Sequence, residues 1–367
     1  MSATALRVAL VCPYSVSVHG GVQGQVLGLA HALRDIGIDA RVIAPSDGPP
    51  PEPGITTVGP SARFPTNGSV APIASSKAVA ARTIEALRTF TPDVAHLHEP
   101  LVPGPNHAVL LGTDVPCVGT FHAAHPGRNA WYQALRAPLR PLLERLAVRT
   151  AVSREAQRNV EATFGGSCEI LPNGVDVTRY ELAEARPAPT PAILFVGRHE
   201  PRKGLTVLLE AFAGLDRDAQ LWVAGEGPQT AALRARYQHR VEWFGPVSEA
   251  EKASLLRGAT VACFPSVEGE SFGVVLLEAL AARTPVVASD LEGYRHVARA
   301  DCEALLVPPG DVNALRSALR RLLDDVDLRA KLSAAGGARA EEFSMTRLAE
   351  RLLPVYDRAI VVATASL

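Results

Sequence analysis

Residues 192–215 read AILFVGRHEPRKGLTVLLEAFAGL. An unbroken apolar run ends at Gly197, a charged loop follows, and a helical pattern begins at Gly204. Apolar residues without polar alternation fit a strand covered on both faces, the environment of a parallel sheet. The segment is therefore a strand–loop–helix unit, and the same rhythm extends in both directions. Downstream come AQLWVAG, a helix over 229–237, VEWFG, a helix over 248–257, TVACFPS, an apolar helix, PVVASD and ALLVPPG. Upstream, LRVALVC precedes Val22, Val26, Leu29, Leu33 and Ile36, whose spacing is one face of a helix closed by Gly37. DARVIAP, DVAHLH, PCVGTFH, RTAVS and CEILP read as further strands. The alternation predicts an α/β chain with two doubly wound, Rossmann-like parallel-sheet domains facing across a cleft. Ligands are expected at the carboxyl ends of the strands. The Pro- and Ala-rich stretch 181–192 reads as the linker. The expected domains are 1–182 and 190–344, with an amphipathic helix, 345–367, packing back on the first.

The bulk numbers agree with this reading. A chain of 367 residues exceeds one ordinary core. Lys and Arg number 37 against 38 Asp and Glu, so no global basic field points to nucleic acid. The cysteines, Cys12, Cys117, Cys168, Cys263 and Cys302, form no CxxC pair and read as buried free thiols in a reducing cytoplasm. The first apolar run is too short for a signal peptide, and no run of about 18 apolar residues suits a membrane span.

Three stretches carry the chemistry. HGGVQGQV (19–26) places Gly20 and Gly21 between the first strand and its helix, where backbone N–H groups can approach a phosphate. A plain βα turn explains the same residues. No GxGxxG is present, and the second strand ends in Ala44-Pro45 without an acid for a ribose, which counts against NAD. GRHEPRKGL puts Arg198 and Lys203 in a loop that opens a helix, a combination suited to a diphosphate. A solvated charge cluster is the plainer account. GESFGVVLLEALA (269–281) carries Glu270 at the mouth of an apolar helix, with Ser271 expected as its N-cap, and Glu278 within it. A buried carboxylate needs partners, and a vicinal diol supplies two donors. A nearby Arg or a backbone N–H would serve instead. Eight residues along a helix is about 12 Å, so the two acids are expected to touch separate parts of one long ligand.

Together, Glu270 and Glu278, PNGVD at 172–176, GRHEPRKG and the early GGVQ resemble retaining glycosyltransferases of family 4, with the GT-B architecture. CPYS, PTNGSVA, HLHEP and TFH are similar to the actinobacterial phosphatidylinositol mannosyltransferases within it. The resemblance implies a nucleotide-diphospho-sugar donor, GDP-mannose above others, and a lipid-linked or polyol hydroxyl acceptor, phosphatidylinositol foremost. It implies that Glu278 holds the ribose and Glu270 the donor sugar. Arg198 and Lys203 would stabilise the leaving diphosphate, with Gly20 and Gly21. Lys252 would lie near the base, and Ser271, Phe272 and Gly273 would complete the donor site. His122 would stand at the reacting centre. Tyr14, Gln23, Asn67, Ser69 and His122 would face the acceptor.

Fixed cations can do the work of a metal at the diphosphate, so neither metal nor other cofactor is expected. Asp325-Val326-Asp327 reads as helix-end acids, and His96 with His98 lacks a third ligand. His98 and Glu99 are expected to shape the cleft. The chain departs from the pattern of the mannosyltransferases it resembles at Pro72, where an Arg is expected, at Thr66, where a Tyr is expected, and in AAHPGR after His122, which lacks the usual Thr or Ser. The helix over 76–90 offers Lys77, Arg82 and Arg88 without a dense basic face. Gly127, Arg128, Trp131 and Arg136 are expected as alternative acceptor or membrane contacts, with core packing the plainer account of Trp131. The expected location is the cytoplasm, with weak association at the inner membrane face. Transfer from a UDP-sugar to a soluble acceptor, or 2-epimerisation of a nucleotide sugar, are the competing activities.

Overall fold

A computed structural model describes residues 5–18, 20–66, 69–123 and 130–365. It divides into two compact units, residues 1–174 with 345–367, and residues 175–344.

Unit 1 is built on strands β1 (Arg7–Val11), β2 (Asp39–Ala44), β3 (Ile55–Thr57), β4 (Ala62–Thr66), β5 (Ser69–Ile73), β6 (Val94–His98), β7 (Cys117–Phe121), β8 (Leu146–Ala151) and β9 (Glu169–Ile170). Seven of them form a parallel sheet in the order β3-β2-β1-β6-β7-β8-β9, while β4 and β5 pair as an antiparallel hairpin. Strands β1, β6 and β7 lie in mid-sheet, and all of their residues but Arg7 are buried. That explains their unbroken apolar runs. Val8, Leu10 and Val94 pack with Val26, Leu29 and Leu33 of helix Gly21–Asp35. Leu352, Val355 and Tyr356 of helix Met345–Ala365 join the same core, which places the last helix in unit 1.

Unit 2 contains β10 (Ala192–Val196), β11 (Gln220–Ala224), β12 (Val241–Gly245), β13 (Val261–Phe264), β14 (Val286–Ser289) and β15 (Ala304–Val307). They form one parallel sheet in the order β12-β11-β10-β13-β14-β15. Ile193, Phe195, Leu221 and Val261 pack against Leu208, Leu209 and Phe212 of helix Leu205–Ala213, and against Leu319.

Strand order reverses between β1 and β6 in unit 1, and between β10 and β13 in unit 2. At such a point the loops leaving neighbouring strands diverge and open a crevice. The loops concerned are those after Val11 and His98, and those after Val196 and Phe264.

Three expectations need correction. The first domain does not run to residue 182: helix Val177–Leu182 buries Tyr180 and packs on helices Glu249–Gly258 and Val274–Ala281, so it belongs to unit 2. Nor is 181–192 a linker between domains. Arg186 donates its backbone N–H to Ser254 O (3.0 Å) and lays its guanidinium 4.7 Å over the Phe244 ring, which fixes the stretch to unit 2. Finally, Ser271 is not an N-cap. The helix spans Val274–Ala281 behind Gly273, whose φ of +91° is left-handed and interrupts any helix begun earlier. The 12 Å axial spacing drawn for Glu270 and Glu278 therefore does not apply.

Four cysteines are buried free thiols, and Cys302 is half-buried. No helix among the described residues is long and apolar enough to cross a membrane.

Candidate active site

The loop after β10 makes a single turn of 3₁₀ helix at Pro201–Lys203 and then enters helix Leu205–Ala213 through Gly204. Gly204 has φ +69°, and a Cβ there would stand 1.9 Å from Pro265 O. Only glycine lets this loop press so closely on the one after β13. The contact brings Lys203 onto Glu270: its Nζ pairs with Glu270 Oε1, 67 positions away in the sequence. Ser266 Oγ donates to the same oxygen at 2.8 Å and is bonded to the Tyr294 hydroxyl at 2.9 Å. Burial, then the Glu270 carboxylate, holds the Tyr294 phenol well above its ordinary pKa.

Glu278 lies on the less covered face of its helix, with its side chain 12% exposed. Its partner is Lys252, whose Nζ donates to Glu278 Oε1 at 2.8 Å and to Glu249 Oε1 at 3.0 Å. Burial disfavours the charged ammonium, but the two carboxylates outweigh it and raise its pKa. Burial, then the Glu278 charge, holds the Tyr180 phenol well above its ordinary pKa. The protein partner of Glu278 is thus neither the Arg nor the backbone N–H considered from the sequence, but Lys252. An ionised carboxylate accepts at about four positions, which leaves lone pairs for hydroxyl donors.

Arg198 pairs with Glu200, Nε to Oε1 2.7 Å. Phe272 is 2% exposed and packs on Phe343, so only its backbone is available to a ligand. Ser271 is half-buried, and Gly273 caps the helix.

Unit 1 carries a different set. His96 and His98 end β6 on one face with their rings stacked 4.4 Å apart, and His122 follows β7. His96 is bonded at both nitrogens, Nδ1 to the Tyr356 hydroxyl (2.9 Å) and Nε2 to Thr120 Oγ1 (2.6 Å). His98 Nδ1 meets His122 Nε2 at 2.9 Å, while His98 Nε2 is buried without a partner among the described residues. Burial pushes His96 down to about 3 and His122 down to about 4, so the cluster is neutral at physiological pH. Glu99, at φ +52°, accepts from the backbone N–H groups of His122 (2.8 Å) and Ala123 (2.6 Å). Burial outweighs those bonds and raises its carboxyl to about 7. The histidines line a cavity of about 20 Å³ with Gln25 and Asn173, enough for a water molecule.

Gly20 and Gly21 open helix Gly21–Asp35, with free space where a Gly21 side chain would stand. Gln23 is turned inward, donating to Ser15 O at 3.3 Å. Tyr14 bridges to Ile73 of β5, and burial, then the nearby Glu99 charge, holds its phenol well above the ordinary value. Asn67, Gly127 and Arg128 lie outside the described residues, as do the side chains of Ser69 and Trp131. Arg136 is exposed at the start of helix Arg136–Glu144. Arg63 stands opposite Pro72 in the hairpin, so a guanidinium is present across the strand from the departure. Asp325 caps helix Val326–Glu342 by accepting from Leu328 N at 2.8 Å. Among the described residues no group of three His, Cys, Asp or Glu side chains gathers to hold a metal ion.

Sequence reasoning missed Glu200, Glu249, Ser266, Tyr294 and Tyr180. Tyr180, Ser266 and Tyr294 matter through partners distant in the chain, whereas Glu200 pairs with Arg198 and Arg202 two positions away and Glu249 with Lys252 three positions on, so those two were within local reach.

Two family models match the chain, Glycosyltransferase Family 4 at residues 19–179 and Glycosyl transferases group 1 at residues 178–339. A phosphatidyl-myo-inositol mannosyltransferase of Mycobacterium leprae is 39% identical over 364 residues, covering 96% of each chain. Among solved structures, sucrose-phosphate synthase of Thermosynechococcus elongatus superposes with a TM-score of 0.76 at 19% identity, over 97% of this chain and 99% of that one. Anabaena HepE in complex with UDP and glucose follows at 0.74 and 16%, over 96% and 99%. These structural likenesses speak for the fold, and the pair of doubly wound parallel sheets predicted from the sequence is the fold observed. The full-length identity speaks for the family: the chain belongs to the family 4 glycosyltransferases.

Proposed function

We propose that the protein transfers mannose from GDP-mannose to a hydroxyl of phosphatidylinositol at the membrane surface. The observation that carries the donor half of this reading is the set of carboxylate–cation pairs at the carboxyl ends of β10 and β13. Lys203 and Arg198 stand where a diphosphate can replace or share their acidic partners, and Glu278 keeps acceptor capacity for a ribose. The acceptor half leans on the relatedness to mannosyltransferases named for phosphatidyl-myo-inositol.

In the reaction, the bond between the anomeric carbon and the β-phosphate oxygen breaks, and the carbon bonds to the acceptor oxygen. The acceptor proton passes to the departing phosphate on the same face of the sugar, which retains configuration. Negative charge grows on the diphosphate as the bond breaks. Arg198 and Lys203 are the fixed donors that meet it. His122, the candidate of the three for the reacting centre, is kept neutral by burial and so can meet a hydroxyl without adding charge. No step calls for a metal.

The test is transfer of label from GDP-[14C]mannose, and separately from UDP-sugars, to vesicles containing phosphatidylinositol and to a soluble acceptor fraction. Label from GDP-mannose in the lipid extract supports the reading. Label from UDP-sugars alone, or only in water-soluble product, overturns it.

A further inference from the structure

Glu200 sits between two residues of the charged loop and has no place in the reaction as described. Its side chain is 3% exposed, and its two oxygens face two guanidinium groups. Oε2 accepts from Arg202 Nε at 3.0 Å. Oε1 lies 2.7 Å from Arg198 Nε, close enough for an ion pair, though outside hydrogen-bond alignment. The backbone winds around the same residue: Glu200 N donates to Arg198 O at 2.9 Å, and Lys203 N donates to Glu200 O at 3.0 Å. Arg202 reaches on to the second loop, with Nη1 3.4 Å from Gly269 O and its own carbonyl accepting from Val267 N at 2.8 Å.

A buried acid beside an anion-binding site has the wrong sign for simple electrostatics, since it lowers the potential that should attract phosphate. An ion pair kept only for stability is also replaceable by apolar residues at little cost. The contact geometry suggests another role. Each guanidinium faces Glu200 through Nε, by an ion pair at Arg198 and a hydrogen bond at Arg202, so Glu200 takes up none of their terminal nitrogens; Arg198 keeps both, an edge that can take an oxyanion bidentately, and Arg202 keeps Nη2 while Nη1 meets Gly269 O. Among the described residues, Glu200 is the only partner of the Arg198 guanidinium.

We propose that Glu200 is a positioning residue of the donor site: it orients Arg198 and Arg202 through their Nε groups and so leaves the terminal edge of Arg198 and Nη2 of Arg202 for the phosphates of the nucleotide sugar. Arg202 thereby becomes a second guanidinium of the site. The inference rests on the assignment of Arg198 to the donor diphosphate.

Charge and position predict opposite signs for one substitution, and titration calorimetry with GDP reads the sign. Glu200→Gln removes the negative charge and keeps the shape. Positioning predicts a Kd for GDP about 10-fold weaker, the scale of a lost charge-assisted hydrogen bond. Electrostatics alone predicts a tighter Kd. Glu200→Asp keeps the charge but shortens the reach, and should also weaken binding; it carries the test if the Gln variant fails to fold. In an Arg198→Ala background, Glu200→Gln should cost less than in the wild type, because part of its action passes through Arg198. GDP binding by Glu200→Gln, or by Glu200→Asp where that is the folded variant, as tight as wild type or tighter, with Arg198→Ala weakened, overturns the role of Glu200 and leaves the donor site standing. Undiminished GDP binding by Arg198→Ala removes the donor-site reading, and this inference with it.

Discussion

The carboxyl ends of the two sheets are built alike and equipped differently. In unit 1 the end of β6 and the loops after β6 and β7 bring together His96, His98, Glu99 and His122, groups that burial drives toward their uncharged forms. In unit 2 the loops after β10 and β13, with helices Glu249–Gly258 and Val274–Ala281, set out Lys203 with Glu270, Arg198 and Arg202 with Glu200, and Lys252 with Glu278 and Glu249. The same strand–loop–helix grammar thus yields one neutral, hydrogen-bonding surface and one made of ion pairs. A neutral polar surface suits hydroxyl groups. An array of paired charges suits a diphosphate, which can exchange with the carboxylates already there. The doubly wound fold decides where a site lies, and the loop residues decide what it holds.

The largest effect expected from this contrast is in unit 2. Lys203→Ala or Arg198→Ala should lower turnover by about 10²-fold or more, as the loss of a charge-stabilising donor does. Steady-state rates at saturating donor measure it, and wild-type-like turnover in both variants would erase the contrast. Next comes the close approach of the two unit 2 loops. Gly204 has φ +69°, and Pro265 O lies 1.9 Å from where a Cβ would stand, so Gly204→Ala should cost about 2 kcal/mol or more in urea unfolding. An unchanged midpoint would mean that the loops do not need to touch.

Acid stability sharpens the unit 1 side. His96 and His122 are held at about 3 and about 4 against an ordinary 6.5, so the unfolded chain takes up protons that the folded chain refuses. Their contribution is complete above pH 6.5 and is lost as pH falls toward 4. Glu99, raised to about 7 from 4.5, acts in the opposite sense, stabilising below 4.5 and losing that contribution as pH rises through 7. The histidines outnumber it, so thermal stability should fall on acidification from 6.5 to 4. His96→Gln should flatten that slope, and an unchanged slope would show that burial is not what keeps the cluster neutral. The smallest effect expected is none: EDTA should leave transfer activity intact, and full loss restored by a divalent cation would contradict the assignment of diphosphate charge to Arg198 and Lys203.

Much of this was legible in the sequence because parallel strands buried on both faces leave apolar runs that need no partner to be recognised. The strand at 192–196 and the loop holding Arg198 and Lys203 came out in this way. Helix starts were less legible. Ser271 looks like a cap, and nothing local says that Gly273 turns left-handed two residues later. The unit boundary was hidden as well: the Pro- and Ala-rich composition of 181–192 draws the boundary there, and only the burial of Tyr180 assigns 175–182 to unit 2. The hairpin of β4 and β5, with Pro65 and Pro72 in its strands, has no apolar signature. Pairings such as Lys252 with Glu278 join residues 26 positions apart, and composition carries no trace of them.

The central claim is that the unit 2 ion pairs are a diphosphate and ribose site at rest. A crystal structure of the protein soaked with GDP tests it most directly. The account predicts diphosphate oxygens within hydrogen-bond distance of Arg198 and Lys203, and ribose hydroxyls on Glu278. GDP bound elsewhere, with Glu278 bonded only to Lys252, would contradict it.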